Sequence, residues 1–378
     1  MTLRIVALAA VVAGAGAVGA TWFGGGATPA ASGGCRQWHA SPERGAAIAH
    51  VKPLVPKLWH GLRAPGLTLA VAVRGKVVWS IGCGRRDIAR RLPVERTTRF
   101  RIGSVSKTLT STALAKLVDD GGIELGASVQ RYVPVFPHDV TIRQLAAHTA
   151  GVRANDADEL VNRRHYTHVA DTLPIFAHDP LLFPPGTDFS YSNWGYVLLG
   201  AALEDAADAP YQEVVRSTVL APLGLRRTVL EDVTRPVPGR ATFYESTNAG
   251  RAVRAPFHDV SFRWPSAGWL SAADELARFA SAFADGRLVG PATVRTFTAE
   301  QQVGGRGTGY GLGWEVHGPF AGHTGNVVGG SAIVLVHVPS ATALALTTNI
   351  GFVTAAAPPR PRRGTPEPPR LLEPFIRE

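Results

Sequence analysis

The chain has 378 residues, 45% of them hydrophobic and 18% charged, which excludes a disordered polymer and suits one large domain with a substantial core. Its net charge of +10 rests on five lysines and 34 arginines. No basic block alternates with aromatic residues, so no nucleic-acid partner is expected. The charge either suits anionic partners such as cell-envelope polymers or simply reflects the coding bias of an Ala/Gly/Arg/Pro-rich composition, and it bears on solubility and association, not on fold.

Arg4 precedes an uncharged Ala/Val/Gly-rich run from Ile5 to Phe23. The run reads as a secretory signal cleaved after Val18-Gly19-Ala20, or as an uncleaved membrane anchor, over residues 1–23. Either reading puts the body of the protein outside the cytoplasm, exported to the cell envelope or beyond. Residues 24–40, opening with Gly24-Gly25-Gly26, read as a flexible linker. Cys35 and Cys83 either pair in an oxidising compartment or stand as two unrelated thiols.

From Glu43 to Leu62 apolar residues recur at helical spacing, with breaks expected at Pro53 and Pro56. "LTLAVAV" (67–73) and "KVVWSIG" (76–82) read as a hairpin turning at Arg74-Gly75. "RIGSVSKTLTSTALAKLVDDGG" (101–122) reads as a helix from Ser104 to Gly121-Gly122. Residues 139–285 look mostly helical. "TGYGLGWEV" (308–316), "SAIVLVHV" (331–338) and "TALALTTNI" (342–350) read as strands, followed by a Pro/Arg-rich tail (357–378) in which "LLEPFIRE" suits a short helix. Strands early and late with helices between predict an α+β fold: an antiparallel sheet flanked by helices, with an inserted mostly helical region and a cleft between the two.

On a helix starting near Ser104, Lys107 lies one turn on and on the same face. A neutral lysine there takes the serine proton, and the helix N-terminus aims N–H groups at the charge that develops. Alone the pair is weak, because 17 serines and five lysines give roughly 0.2 Ser-x-x-Lys pairs by chance. The plain alternative is a capping serine beside a solvated lysine. Two later segments change this. Tyr191-Ser192-Asn193 precedes a helix-like run, where Tyr191 suits a proton relay and Asn193 a contact to a substrate amide. His323-Thr324-Gly325 lies between strand-like runs, where His323 and Thr324 suit a substrate carboxylate and Gly325 lets substrate backbone approach. The Asn326 N–H would complete an oxyanion hole with that of Ser104.

Several other features read as structural or are excluded. His148-Thr149 falls among helices and reads as packed or capping. His165 and His168 lack an evident acidic or thiol partner, so they read as a surface loop and not as metal ligands. No Gly-x-Ser-x-Gly elbow is present, which excludes the α/β-hydrolase reading. Cys83 in a strand reads as structural.

Ser-x-x-Lys, Tyr-x-Asn and His-Thr-Gly in this order resemble the penicillin-recognising serine hydrolases: class C β-lactamases, D-alanyl-D-alanine carboxypeptidases and β-lactamase-like esterases. The resemblance runs from about Pro65 to Ile350 and takes in "VTIRQLAAHTAGVR", "PPGTDFSYSNWGYVLLG" and "WPSAGWLSAADELARFASAF". Several of these segments are similar to the mitochondrial serine β-lactamase-like branch. It implies a hydrolase domain over 41–356 with Ser104 as acylated nucleophile, Lys107 as base, Tyr191 as relay, and Asn193, His323, Thr324, Gly325 and Asn326 as substrate-binding groups. It implies no metal or organic cofactor. Many β-lactamases carry Lys where this chain has His323. An imidazole titrates near pH ~6.5, so its hold on a carboxylate should fade through neutral pH. The expected activity is therefore D-Ala-D-Ala-carboxypeptidase-like or other peptide hydrolysis, with esterase and β-lactamase activity behind it. The substrate is a small molecule or a peptide, such as a cell-wall peptide. The rival class is a non-catalytic binding or assembly protein that retains the fold.

Overall fold

The computed structural model describes residues 34–156, 159, 163–247, 251–351 and 368–377. The signal or anchor segment, residues 24–33 of the linker and residues 352–367 lie outside the described residues.

An eight-stranded sheet organises the described chain. Its strands run in the order Cys35–Ala40, Lys76–Asp87, Gly66–Val73, Thr342–Thr348, Gly330–His337, Phe320–Val327 and Glu315–His317, with Leu92–Pro93 paired to Lys76–Asp87. All of these pairings are antiparallel. Early and late strands meet in the middle, where Gly66–Val73 pairs with Thr342–Thr348. This is the α+β architecture expected from strands at both ends of the chain.

Side chains alternate across the sheet with the period-2 logic of a strand. Leu67, Leu69, Val71, Leu344 and Leu346 face one core, which the helices Gly45–Val51, Leu54–Leu62 and Pro368–Arg377 cover. Ala70, Ala72, Ala343 and Ala345 face the other core. Small side chains there let the helix Ala273–Ala284 lie close across the strands. The larger helical region continues that second core and carries one wall of the site.

Four expectations need correction. Residues 35–40 are not linker but an edge strand, paired from Cys35↔Cys83 to Ala40↔Trp79 and fixed by a Cys35–Cys83 disulfide. The Trp38 ring fills the space over Gly82, which has no side chain to oppose it. The first helix breaks only near Pro53, because Pro56 falls in the first turn of Leu54–Leu62, where its missing N–H costs nothing. The span 139–285 also holds short strands, Val229–Leu230, Tyr244–Ser246, Ala252–Arg254 and Trp269–Ser271. Finally, "TGYGLGWEV" is strand only at Glu315–His317, because Gly309 and Gly313 take positive φ values of 72° and 88° and turn the chain. The long strand is instead Phe320–Val327, next to the short edge strand Glu315–His317.

Candidate active site

Ser104 sits in a 3₁₀ turn, Gly103–Val105, that feeds the helix Ser106–Asp119. No side chain caps either start, so Ser104 is not a capping serine. The helix is buried along most of its length although it is rich in Ser and Thr. It satisfies those hydroxyls internally: Thr108 Oγ1 donates to Val105 O (2.7 Å), Thr112 Oγ1 to Thr108 O (2.8 Å) and Thr110 Oγ1 to Pro265 O (2.6 Å). The turn is held from below by Arg101. Its guanidinium meets the Glu231 carboxylate at 2.5 and 3.0 Å and donates to Val328 O (2.8 Å) and His258 O (2.9 Å).

Lys107 is fully buried. Its Nζ lies 2.7 Å from Asn193 Oδ1, 3.1 Å from Ser266 O and 3.3 Å from Ser104 Oγ. The first two neighbours only accept, so they take two N–H bonds. A neutral amine has two N–H groups and one lone pair, and the lone pair is left for the Ser104 hydroxyl. Burial, then the Arg263 guanidinium, pushes the Lys107 amine well below the ordinary lysine range, with Glu315 opposing. Arg263 is itself buried, with its Nη2 3.2 Å from His258 Nε2. It makes no ion pair with a carboxylate among the described residues, so its charge reaches the lysine uncompensated.

Tyr191 and Asn193 enter from the start of the helix Asn193–Ala207. Ser192 caps that helix, its Oγ accepting from Gly195 N–H (2.9 Å) and donating to Arg153 O (2.6 Å). The Tyr191 hydroxyl lies beside Ser104, which opposes the rise of its pKa, and the Tyr191 ring centroid lies 4.6 Å from Lys107 Nζ. Burial drives the phenol well above its usual range, so Tyr191 stays protonated. His148, read from sequence as structural, packs directly against this group. It takes a positive φ of 60° and lies 4.3, 5.0 and 4.8 Å, ring to ring, from Tyr191, Tyr196 and Tyr310.

The third wall is the strand Phe320–Val327. Its pairing with Glu315–His317 stops at Gly322, so residues 323–327 run past that neighbour toward the serine turn. A Cβ on Gly325 would fall 2.0 Å from Ile102 O, and one on Gly103 2.8 Å from Asn326 N. Both glycines therefore exist to let strand and turn touch. The backbone that fills the Cβ side of Gly325 is the chain's own. The same contact places Asn326 N beside the turn that carries Ser104.

His323 and Thr324 are in the site but do not offer the open carboxylate seat expected of them. His323 is buried, with Nδ1 2.5 Å from Thr324 O and Nε2 3.0 Å from the Tyr310 hydroxyl. A carbonyl requires a donor, so Nδ1 carries the proton and Nε2 accepts from Tyr310. Burial lowers the imidazole below its ordinary range and favours the neutral ring, with Glu315 opposing. Thr324 N–H and Oγ1 donate to Glu315 Oε1 at 3.2 and 2.9 Å. Sequence reasoning did not single out Glu315, Tyr310 or Arg263, and it read His148 as structural only. A short-range signal existed only for Glu315, a lone acid in "GLGWEV" just before the His-Thr-Gly strand.

Elsewhere, His165 Nδ1 lies 2.8 Å from Asp259 Oδ2, with Asp232 at 3.9 Å from Nε2. These acids are distant in sequence and were not visible as partners. No group of three or more His, Cys, Asp or Glu side chains suited to a metal occurs among the described residues. Among the described residues, no helix is long and apolar enough to cross a membrane.

The profile of the beta-lactamase family matches residues 51–364. The human mitochondrial serine beta-lactamase-like protein LACTB is 29% identical over 316 residues, which take in 65% of this chain and 58% of that protein. The chain thus spans less than two thirds of that relative. Among solved structures, the octameric penicillin-binding protein homologue of Pyrococcus abyssi superposes with a TM-score of 0.68 at 24% identity, covering 82% of this chain and 74% of that one. The D-amino acid amidase of Ochrobactrum anthropi gives 0.71 at 22% identity, covering 89% and 97%. These last two likenesses establish the fold. With the family profile spanning most of the chain, the protein belongs to the beta-lactamase family.

Proposed function

We propose that this protein is an exported serine hydrolase that cleaves amide or peptide bonds through an acyl-enzyme on Ser104. The observation that carries the reading is the hydrogen-bond balance at Lys107. Nζ lies 2.7 Å from Asn193 Oδ1, 3.1 Å from Ser266 O and 3.3 Å from Ser104 Oγ, and burial favours the neutral amine, in which two N–H groups meet the first two acceptors and the lone pair is left for the serine.

In the first half-reaction Lys107 takes the Ser104 proton as Oγ attacks the substrate carbonyl. The oxyanion is received by the backbone N–H groups of Ser104 and Asn326. Tyr191 stays a phenol, so it serves as relay and not as base: it gives its proton to the leaving amine and regains one from Lys107. The C–N bond breaks and the amine departs with that proton. Water then attacks the ester, with Lys107 and Tyr191 taking its proton and returning one to Ser104 Oγ. Asn193 has Nδ2 left to meet a substrate carbonyl. Esters undergo the same steps with an easier leaving group.

Export is supported by the Cys35–Cys83 disulfide, which suits an oxidising compartment, and by the uncharged run after Arg4. Hydrolysis is tested by offering short peptides, aminoacyl amides and p-nitrophenyl esters to wild type and Ser104→Ala. Turnover lost in Ser104→Ala supports the reading. Turnover equal in both contradicts it.

A further inference from the structure

We infer that Glu315 is a specificity-determining residue that closes the His-Thr-Gly subsite to substrate carboxylates and opens it to an ammonium group. The inference rests on the proposed hydrolysis at Ser104 and names the class of substrate it acts on.

The donors that would hold a carboxylate are already spent. Both Thr324 donors, N–H and Oγ1–H, go to Glu315 Oε1. The His323 proton goes to Thr324 O, and its second nitrogen accepts from Tyr310. A substrate carboxylate would find no free donor there and would meet a like charge. Glu315 is itself under-neutralised. Its ion-pair contact among the described residues is His323 Nδ1 at 3.5 Å, on a ring whose charged form burial disfavours, and its side chain keeps 25% exposure. Oε2 makes no hydrogen bond among the described residues, so one carboxylate oxygen is left for a ligand. A cation at that point would be paired, and an anion would be opposed. The position belongs to the site: Thr324 adjoins Gly325, which touches the serine turn, and Glu315 is held by its backbone pairing with Gly322.

The test uses three acetyl-D-alanyl amides that share one acyl group and differ only in the leaving amine. The amines are D-alanine, D-alaninamide, and 1,2-diaminopropane, in which aminomethyl replaces the carboxylate. The kcat/KM of wild type and Glu315→Gln is measured for each, and the affinity of each for Ser104→Ala is measured by calorimetry. Wild type should prefer the ammonium substrate over the carboxylate by about 10-fold or more, and Glu315→Gln should shrink that preference by a similar factor. Because glutamine still accepts from Thr324, the change tests charge and not folding. A carboxylate-to-ammonium ratio that stays within about twofold on Glu315→Gln overturns the inference. If wild type turns over none of the three while Ser104→Ala still prefers the ammonium compound, the inference stands and the hydrolase reading falls. If Ser104→Ala binds all three alike, the inference falls whatever the turnover.

Discussion

His148 holds Tyr191 by both of its chain neighbours: the His148 carbonyl accepts from Ser190 N–H at 3.0 Å and its Nδ1 accepts from Ser192 N–H at 3.1 Å. Between those two bonds the rings of His148 and Tyr191 lie 4.3 Å apart. Nδ1 must be unprotonated to accept, and burial holds the imidazole well below its ordinary range. His148→Leu removes the acceptor and should slow acylation by about 10- to 100-fold, the scale of a misplaced proton relay. His148→Asn places an amide oxygen near the Nδ1 position and tolerates the left-handed backbone, so it should recover most of the rate. Stopped-flow acylation by an activated ester checks both. Equal rates in the two variants would show that the accepted bond does not matter.

Lys107 sets the acid limb of the pH–rate profile. The neutral amine is the working form, so kcat/KM rises as pH climbs through the depressed Lys107 titration. Arg263→Met removes a positive neighbour, favours the protonated amine and moves the limb to higher pH. A limb that stays in place would remove Arg263 from the account. Burial moves the His323 titration below that of a free imidazole, so a loss of activity on carboxylate substrates is expected at lower pH than the sequence suggested.

Gly325→Ala would push a methyl to 2.0 Å from Ile102 O, where backbone and not a mobile side chain must yield. A destabilisation of about 1–3 kcal/mol is expected from the forced shift. Acylation should fall as well, because the shift parts Asn326 N from the Ser104 turn. Denaturant melts and acylation rates measured together check this.

The Cys35–Cys83 bond closes a sequence separation of 48 residues and ties the edge strand to the sheet. Its removal in Cys35→Ser should cost about 2–4 kcal/mol. Urea unfolding of the variant beside the wild type, or of wild type with and without reductant, measures the loss.

Much of this was legible in the sequence, for local reasons. The hairpin Gly66–Asp87 follows from two β-rich runs separated by Arg74-Gly75. Ser104, Lys107, Tyr191 and Asn193 follow from short motifs whose spacing is set by a single turn of backbone, and the structure gathers all four. The parts that escaped depend on long-range packing. Nothing local to Gly325 shows that Ile102, over 200 residues earlier in the chain, fills its Cβ side. His323 looked like a free cation because its partners, Tyr310 and Glu315, lie in a Gly-rich stretch that read as one strand. Arg263 carries no motif of its own, and His148-Thr149 lies in a segment that reads as structural. They matter through burial beside Lys107 and Tyr191, which only the folded chain reveals.

The central claim is covalent chemistry at Ser104. Purified protein is treated with a fluorophosphonate or a labelled penicillin, and wild type, Ser104→Ala and Lys107→Ala are examined by intact mass followed by peptide mapping. The account predicts a single adduct on the peptide bearing Ser104 in wild type, none in Ser104→Ala, and strongly slowed labelling in Lys107→Ala. An adduct that persists in Ser104→Ala, or wild type that never labels, would contradict it.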